Sequence, residues 1–162
     1  MSQKVFTNPT GAFGYTADGD VLPQVVGEFR VKESSSAAVT ITKGDVLQID
    51  AAGQVSTNDT LETDPVIGVA LDTVTVADND SASYTGPKTV RVCLLGVCEV
   101  ASDGGNDATL GTTLYGTAAG RVSAGTATAD DYIVGIALES IGSTAGALVT
   151  ALVRPQKLVI PA

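Results

Sequence analysis

The chain has 162 residues, a length typical of one domain. Nine basic and 18 acidic side chains give a net charge of −9 at pH 7, which disfavours nucleic acid phosphate and anionic membranes as partners. With no histidine and two cysteines, the chain lacks Ser-His-Asp and Cys-His catalytic devices and zinc sites of four Cys and His ligands. Hydrophobic residues make up 44% and charged residues 17%, a balance that favours a folded domain over disorder.

Residues 1–37 are predicted to form an extended N-terminal arm, because prolines, glycines and a serine run favour extended backbone over helix. The start of the chain has no apolar secretory segment, and no apolar run approaches the roughly 18 residues that span a bilayer. Aromatic side chains are favoured interface anchors, so the arm's aromatics are candidate contacts with a partner. The alternative is that they cap the core of their own domain. They are four of the seven aromatic residues in the chain: Phe6, Phe13, Tyr15 and Phe29.

Residues 38–162 are predicted to form a β domain. Val39 and Ile41 alternate with threonines, and Val90, Val92 and Leu94 alternate with Thr89, Arg91 and Cys93. This period of two is typical of strands, and no window sustains helical spacing. The sequence therefore predicts antiparallel β-structure with short loops and little helix.

An internal repeat divides the β domain. GDVLQIDAAGQVS begins at Gly44, and GTTLYGTAAGRVS begins 67 positions later at Gly111. PVIGVALDT matches YIVGIALES at the same offset, which defines repeat units at about 39–96 and 106–154. Each unit is predicted to contain a strand, a turn ending in glycine, a short strand and an apolar strand, and the first unit inserts a polar loop at 78–88.

The apolar strand of each unit contains a glycine, Gly68 or Gly135, which indicates a β-bulge or a close backbone approach. One unit cannot bury its own apolar face. The fold class predicted is therefore all-β, a compact small β-barrel or β-sandwich built from two repeated units with an extended N-terminal arm.

Acidic residues are the remaining candidates for chemistry. Paired carboxylates could act in glycoside hydrolysis, and the Asp-rich segments 78–80 and 103–107 could ligate calcium. The carboxylate pairs are Asp18 with Asp20, Asp78 with Asp80, and Asp130 with Asp131. Asp, Asn and Gly are also ordinary turn residues, so we predict a non-enzymatic protein without cofactor or metal. Cys93 and Cys98 are predicted to be apolar packing residues.

The repeated blocks resemble those of the small capsid decoration, or cement, proteins of tailed bacteriophages. The resemblance rests on KGDVLQIDAAGQVS, DPVIGVALDT and YIVGIALES and covers about residues 39–153. It implies a structural protein that is made in the host cytoplasm and docks on the outer surface of the virion's head. There it would bridge subunits of the major capsid protein lattice, commonly as a homotrimer, with no direct contact to nucleic acid or membrane. Phe6, Phe13, Tyr15 and Phe29 would then be the capsid contacts.

Other classes of protein remain open from the sequence. A phage tail, fibre or head-spike subunit that binds host glycan would use exposed aromatics, for which Tyr84, Tyr115 and Tyr132 are the candidates in the body. A carboxylate enzyme or a calcium-dependent surface module would use the acidic turns. A bacterial surface-layer or pilus component is disfavoured by the absence of an export signal.

Overall fold

The computed structural model describes residues 13–15, 21–34, 36–57, 64–77, 88–105, 107–117, 120–125, 132–140, 142 and 144–157. These residues form twelve β-strands and no helix, which confirms the predicted all-β class. Accordingly, the described part of the chain contains no helix able to cross a membrane. The strands are β1 (Phe13–Tyr15), β2 (Val21–Val31), β3 (Val39–Ile41), β4 (Val46–Ile49), β5 (Gln54–Thr57), β6 (Val66–Ala70), β7 (Val74–Val76), β8 (Thr89–Ala101), β9 (Thr113–Gly116), β10 (Val122–Ser123), β11 (Tyr132–Ala137) and β12 (Leu148–Lys157).

The first repeat unit forms a closed five-stranded barrel together with β2, which precedes it in the chain. Its strands follow the order β2-β5-β4-β6-β8, and pairing of β2 with β8 closes the ring. The pairings are antiparallel except between β2 and β5, which run parallel through Arg30 with Gln54 and Val31 with Val55. A separate two-stranded sheet of β3 and β7 contributes Ile41, Val74 and Val76 to the core of this barrel.

The second unit continues the same sheet beyond β8, in the order β12-β11-β9-β10. A parallel bridge between Ser102, just after β8, and Val122 of β10 joins the two outermost strands of this part of the sheet, β8 and β10. This bridge corresponds to the parallel pair of Val31 and Val55 in the first unit. The next hydrogen bond also corresponds, since Lys32 N–H donates to Val55 O and Asp103 N–H donates to Val122 O.

Strand β8 therefore serves both units. Its first half pairs with β2 and β6, and its second half pairs with β12 from Ala101–Leu148 to Gly96–Val153. In the second unit the end of β8 occupies the place that β2 occupies in the first. The cross-strand pairs correspond one to one. For example, Val26 pairs with Cys93 in the first unit, and Val97 pairs with Leu152 at the equivalent place in the second. A single long strand thus couples the two units covalently and by hydrogen bonds.

The repeat predicted from sequence also appears in the strand register. Leu47 pairs with Gly68, and Leu114 pairs with Gly135 67 positions later. In both units the register shifts by one residue next to the glycine, so the bulge recurs at the same place. The turn glycines correspond as well, since φ is 76° at Gly53 and 68° at Gly120. The predicted repeat and its bulges are therefore confirmed at the level of individual residue pairs.

The close backbone approach predicted for the two strand glycines is confirmed as well. A Cβ at Gly68 would lie 2.2 Å from Cys93 O, and one at Gly135 would lie 2.2 Å from Leu152 O. No side chain fits at either position without a shift of the neighbouring backbone. The bulge lets each apolar strand curve closely over the following long strand of its unit.

The start of the barrel lies inside the segment predicted as an arm. Strand β2 begins at Val21 and pairs with β8 from Gln24 to Arg30, so it is a wall of the first barrel. The predicted boundary between residues 37 and 38 falls after this strand. Residues 21–23 pair with β1 instead, as the base of a hairpin. Composition alone did not reveal this, because β2 contains Pro23 and Gly27, which reduce strand propensity.

The interior is divided into two hydrophobic clusters. The first core lies inside the first barrel and includes the buried residues Val31, Ile41, Leu47, Val55, Ala70, Val74, Val76, Val90 and Val92. The second core fills the second unit and continues onto the outer face of the first barrel. Val46, Val66, Val69 and Cys93 extend from that outer face into the second core. The second unit therefore packs against the side of the first.

Candidate interaction surface

The structure places the four predicted contact aromatics in different environments. Phe6 lies outside the described residues. Phe13 and Tyr15 belong to β1, whose backbone pairs with β2 through Phe13–Pro23 and Tyr15–Val21. Two of the four candidates thus lie on a hairpin that is joined to the barrel through β2.

Phe29 lies within the barrel wall. It pairs with Val90, is half-buried and packs against the first core. Its ring also covers Gly27, where an added Cβ would lie 2.6 Å from a carbon of the Phe29 ring. The described contacts of Phe29 are therefore with its own domain core, the alternative considered for the arm's aromatics.

An exposed apolar row crosses the second unit. Val97 of β8 pairs with Leu152 of β12, which pairs in turn with Ile136 of β11, so the three side chains share one sheet face. Leu152 is 38% exposed and Ile136 is 40% exposed, while Val97 is half-buried. We call these three residues the open row. Near it, Val25 and Leu95 pair with each other and are also exposed.

The charged side chains near the strands form surface ion pairs. Arg91 holds Asp72 through two hydrogen bonds, of 2.7 Å from Nε and 2.6 Å from Nη2. These bonds hold the pKa of Asp72 below its usual value. Glu33 contacts both Arg30, at 3.1 Å, and Lys88, at 2.8 Å. Exposed pairs of this kind contribute little net stability, so they indicate a solvated surface and identify no binding site.

The acidic turns show local hydrogen bonding. Asp103 Oδ1 accepts the backbone N–H of Gly105 at 2.8 Å, an ordinary turn contact. Within the described ranges, no group of three or more Asp, Glu or Cys side chains is arranged to hold a metal ion. The carboxylate pairs at residues 18 and 20, 78 and 80, and 130 and 131 lie outside the described residues.

The tyrosines considered as sugar platforms are only partly accessible. Tyr132 packs against the second core, and Tyr115 pairs with Ile133 and is half-buried. Tyr84 lies outside the described residues. Both tyrosines that the structure describes are therefore partly buried in their own domain.

Both cysteines are buried in the second core with free thiols, which confirms the prediction that they pack as apolar residues. In a regular strand, side chains five residues apart point to opposite faces of the sheet. Cys93 and Cys98 nevertheless lie on the same face, in the second core, and their side chains are hydrogen-bonded. The reason is an extra residue in β8, where the register against β2 shifts between Cys93 and Leu95. A hydrogen bond with Cys93, together with burial, raises the pKa of the Cys98 thiol. Cys98 is therefore protonated at neutral pH and a poor nucleophile.

The open row was not identified from the sequence. A usable signal exists in the strand LVTALVRPQK, where apolar residues occupy both alternating sets of positions instead of one. Such a pattern indicates a strand with apolar side chains on both faces. Only the register between β8, β12 and β11 brings the three residues of the row together.

No protein-family model matches the chain, and no curated protein matches it.

Proposed function

We propose that this protein is a non-enzymatic structural protein of a virion, which binds the outer surface of a phage head and bridges major capsid subunits. Its partner would be the assembled lattice of the major capsid protein. A protein that binds the closed lattice and not free subunits stabilises the shell by mass action. A homotrimer would add avidity, because several weak contacts on one particle act together.

The observation that carries this proposal is the hairpin of β1 and β2. It connects Phe13 and Tyr15, through residues 21–23, to a wall strand of a closed barrel. A closed barrel has few free sheet edges and is a rigid platform for such a segment. Aromatic residues on a segment anchored in this way can bury area against a partner while the acidic body stays in water. The blocks that resemble decoration proteins form equivalent strands of the two units.

The test is co-sedimentation of the purified protein with expanded phage heads that lack decoration. We expect saturable binding by the full-length chain. The double variant Phe13→Ser/Tyr15→Ser should bind at least about tenfold more weakly, the loss expected for an interface hot spot. Leu110→Ser is the matched control, because Leu110 is 71% exposed and lies in a turn of the second unit.

The outcomes separate the function from the site. If the full-length chain fails to bind undecorated heads, the decoration proposal is wrong. Binding of host glycan in place of heads would instead support a tail, fibre or head-spike subunit. If the full-length chain and the double variant bind heads equally, the decoration function stands and the hairpin is not the contact.

A further inference from the structure

Two thiols meet where strand β8 passes from the first unit to the second. Cys93 lies in the half of β8 that pairs with β2 and β6, and Cys98 lies in the half that pairs with β12. Both side chains are buried in the second core, both thiols are free, and a hydrogen bond joins them. Apolar packing requires small side chains at these positions but no contact between their sulfur atoms.

The backbone between the two cysteines departs from a regular strand at two places. Leu94 is the extra residue of the bulge, since the pairing with β2 passes from Cys93 to Leu95. Gly96 has φ of 127°, which residues with a side chain rarely adopt. Five residues of a straight strand span about 17 Å, far more than the roughly 7 Å that a disulfide bridges between Cα atoms. The bend at the bulge and the glycine is therefore what brings the two sulfur atoms together.

The hydrogen bond makes the two thiols unequal. It lowers the pKa of Cys93 and, together with burial, raises the pKa of Cys98. The S–H of Cys98 is therefore the donor and the sulfur of Cys93 is the acceptor, so negative charge is stabilised on Cys93. Cys93 is the thiol that ionises first and reacts first with an oxidant, and Cys98 is the neighbour placed to bond with it.

We propose that Cys93 and Cys98 are a modification site, at which oxidation by a peroxide forms a disulfide that fastens the junction of the two units. Hydrogen peroxide is close to water in size, and Cys98 is 7% exposed, so the pair lies near solvent at one end. A reducing compartment would keep both thiols free, and an oxidising one would favour the bridge. The inference does not depend on the proposed function, because it needs only the folded chain.

The reaction balances in two steps. The Cys93 thiolate attacks one oxygen of hydrogen peroxide, the O–O bond breaks, and the hydroxide that leaves takes up the proton released by Cys93. Cys93 is then a sulfenic acid. The Cys98 sulfur attacks the Cys93 sulfur, the S–O bond breaks, and the oxygen leaves as a second water with the Cys98 proton. Two electrons thus pass from the two thiols to one peroxide. Cys98 is a poor nucleophile toward molecules in solution, but its contact with Cys93 removes the need for a diffusive encounter.

The experiment treats the folded full-length protein with hydrogen peroxide, removes the peroxide with catalase, and then unfolds the protein in an alkylating agent. The tryptic peptide 92–121 contains both cysteines and no methionine, so its mass reports this pair alone. We expect this peptide to lose about 2 Da, the mass of two hydrogen atoms, and to take up no alkyl group. Dithiothreitol, added before the alkylating agent, should restore two alkylated thiols.

Cys98→Ala is the matched control, because it keeps a small apolar side chain in the core and removes the resolving sulfur. Peroxide should then add oxygen to Cys93, with a gain of about 16 or 32 Da in place of the loss of 2 Da. In the wild-type protein, the bridge should raise the midpoint of thermal unfolding by roughly 2–6 °C, since the loop it closes is short. The same treatment should give no such rise in Cys98→Ala. Circular dichroism checks that the variant keeps its β-structure.

The inference would be overturned if both thiols of the folded wild-type protein remained open to alkylation after peroxide treatment. It would also be overturned if peptide 92–121 gained oxygen or joined a second chain without the loss of about 2 Da. A bridge that left the unfolding midpoint unchanged or lowered it would overturn the fastening role. Because no phage head is present, all of these outcomes are separate from the test of the proposed function.

Discussion

At the scale of single residues, the repeat is preserved where backbone geometry is demanding and varies elsewhere. Gly68 and Gly135 occupy the same bulge, and both would place a Cβ against a carbonyl oxygen. By contrast, Asp45 and the corresponding Thr112 differ in charge, but each side chain accepts a hydrogen bond from the backbone N–H three residues before it. Asp45 Oδ2 accepts the N–H of Thr42 at 2.7 Å, and Thr112 Oγ1 accepts the N–H of Thr109 at 3.2 Å. A turn that needs one acceptor accommodates either side chain.

We predict that Gly135→Ala destabilises the protein by about 1–3 kcal/mol, as overpacking of a tight site typically does. The physical reason is the Cβ position 2.2 Å from Leu152 O, a contact that only movement of the backbone of β12 can relieve. Gly142→Ala is the matched control, because a Cβ there has nothing within 4 Å. Urea unfolding followed by circular dichroism measures both. Equal stabilities for the two variants would contradict the close approach.

At the scale of elements, β8 and β2 decide the architecture. Strand β8 runs for 13 residues, and its two halves belong to different units. Strand β2 closes the first barrel in the way that the end of β8 closes the second unit. Removing β2 would therefore expose the edges of both β5 and β8 and the first core between them. Removing β1 would leave the ring of five strands intact.

We predict that deletion of residues 2–20 leaves a chain that unfolds cooperatively, whereas deletion of residues 2–37 does not. The second deletion removes Val31, which is fully buried in the first core, and the half-buried Phe29 that packs on it. Thermal unfolding by circular dichroism and binding of a hydrophobic dye distinguish the two truncations. A cooperative unfolding transition in the chain that lacks residues 2–37 would show that the barrel does not require β2.

At the scale of the whole molecule, the two units share one strand and the second core spans both. Leu47 and Leu114 are corresponding residues, fully buried in the first and second cores. Because β8 contributes to both cores, loss of packing in one unit is expected to loosen the other. The molecule should then behave as one cooperative body despite its two cores.

We predict that Leu47→Ala and Leu114→Ala each cost roughly 2–5 kcal/mol of unfolding free energy. Each should also accelerate global amide hydrogen exchange in the strands of both units, because the exchange then reports one shared unfolding reaction. Mass spectrometry of peptides from β4 and β9 gives the measurement, and Leu110→Ala at the surface is the control. Acceleration confined to the mutated unit would contradict a single cooperative body.

Much of this architecture was accessible from the sequence. The alternation of Val and Thr predicted strands, and the offset of 67 predicted equivalent strands in two units, down to β4 and β9 with the same bounds relative to the repeat. The glycines predicted the bulges. The place of β2 was missed because its proline and glycine suggested an irregular arm, and its role depends on pairing with β8 some 65 residues later.

The sequence by itself determined the elements and their repetition, because strand alternation and turn glycines are local properties of the chain. Only the tertiary structure decided which faces are covered. Cys93 and Leu152 occupy the same position in the two units, yet one is fully buried and the other is 38% exposed. The reason is that burial depends on what packs against a face. The first unit has the second unit against it, and the described chain places no third unit against the second.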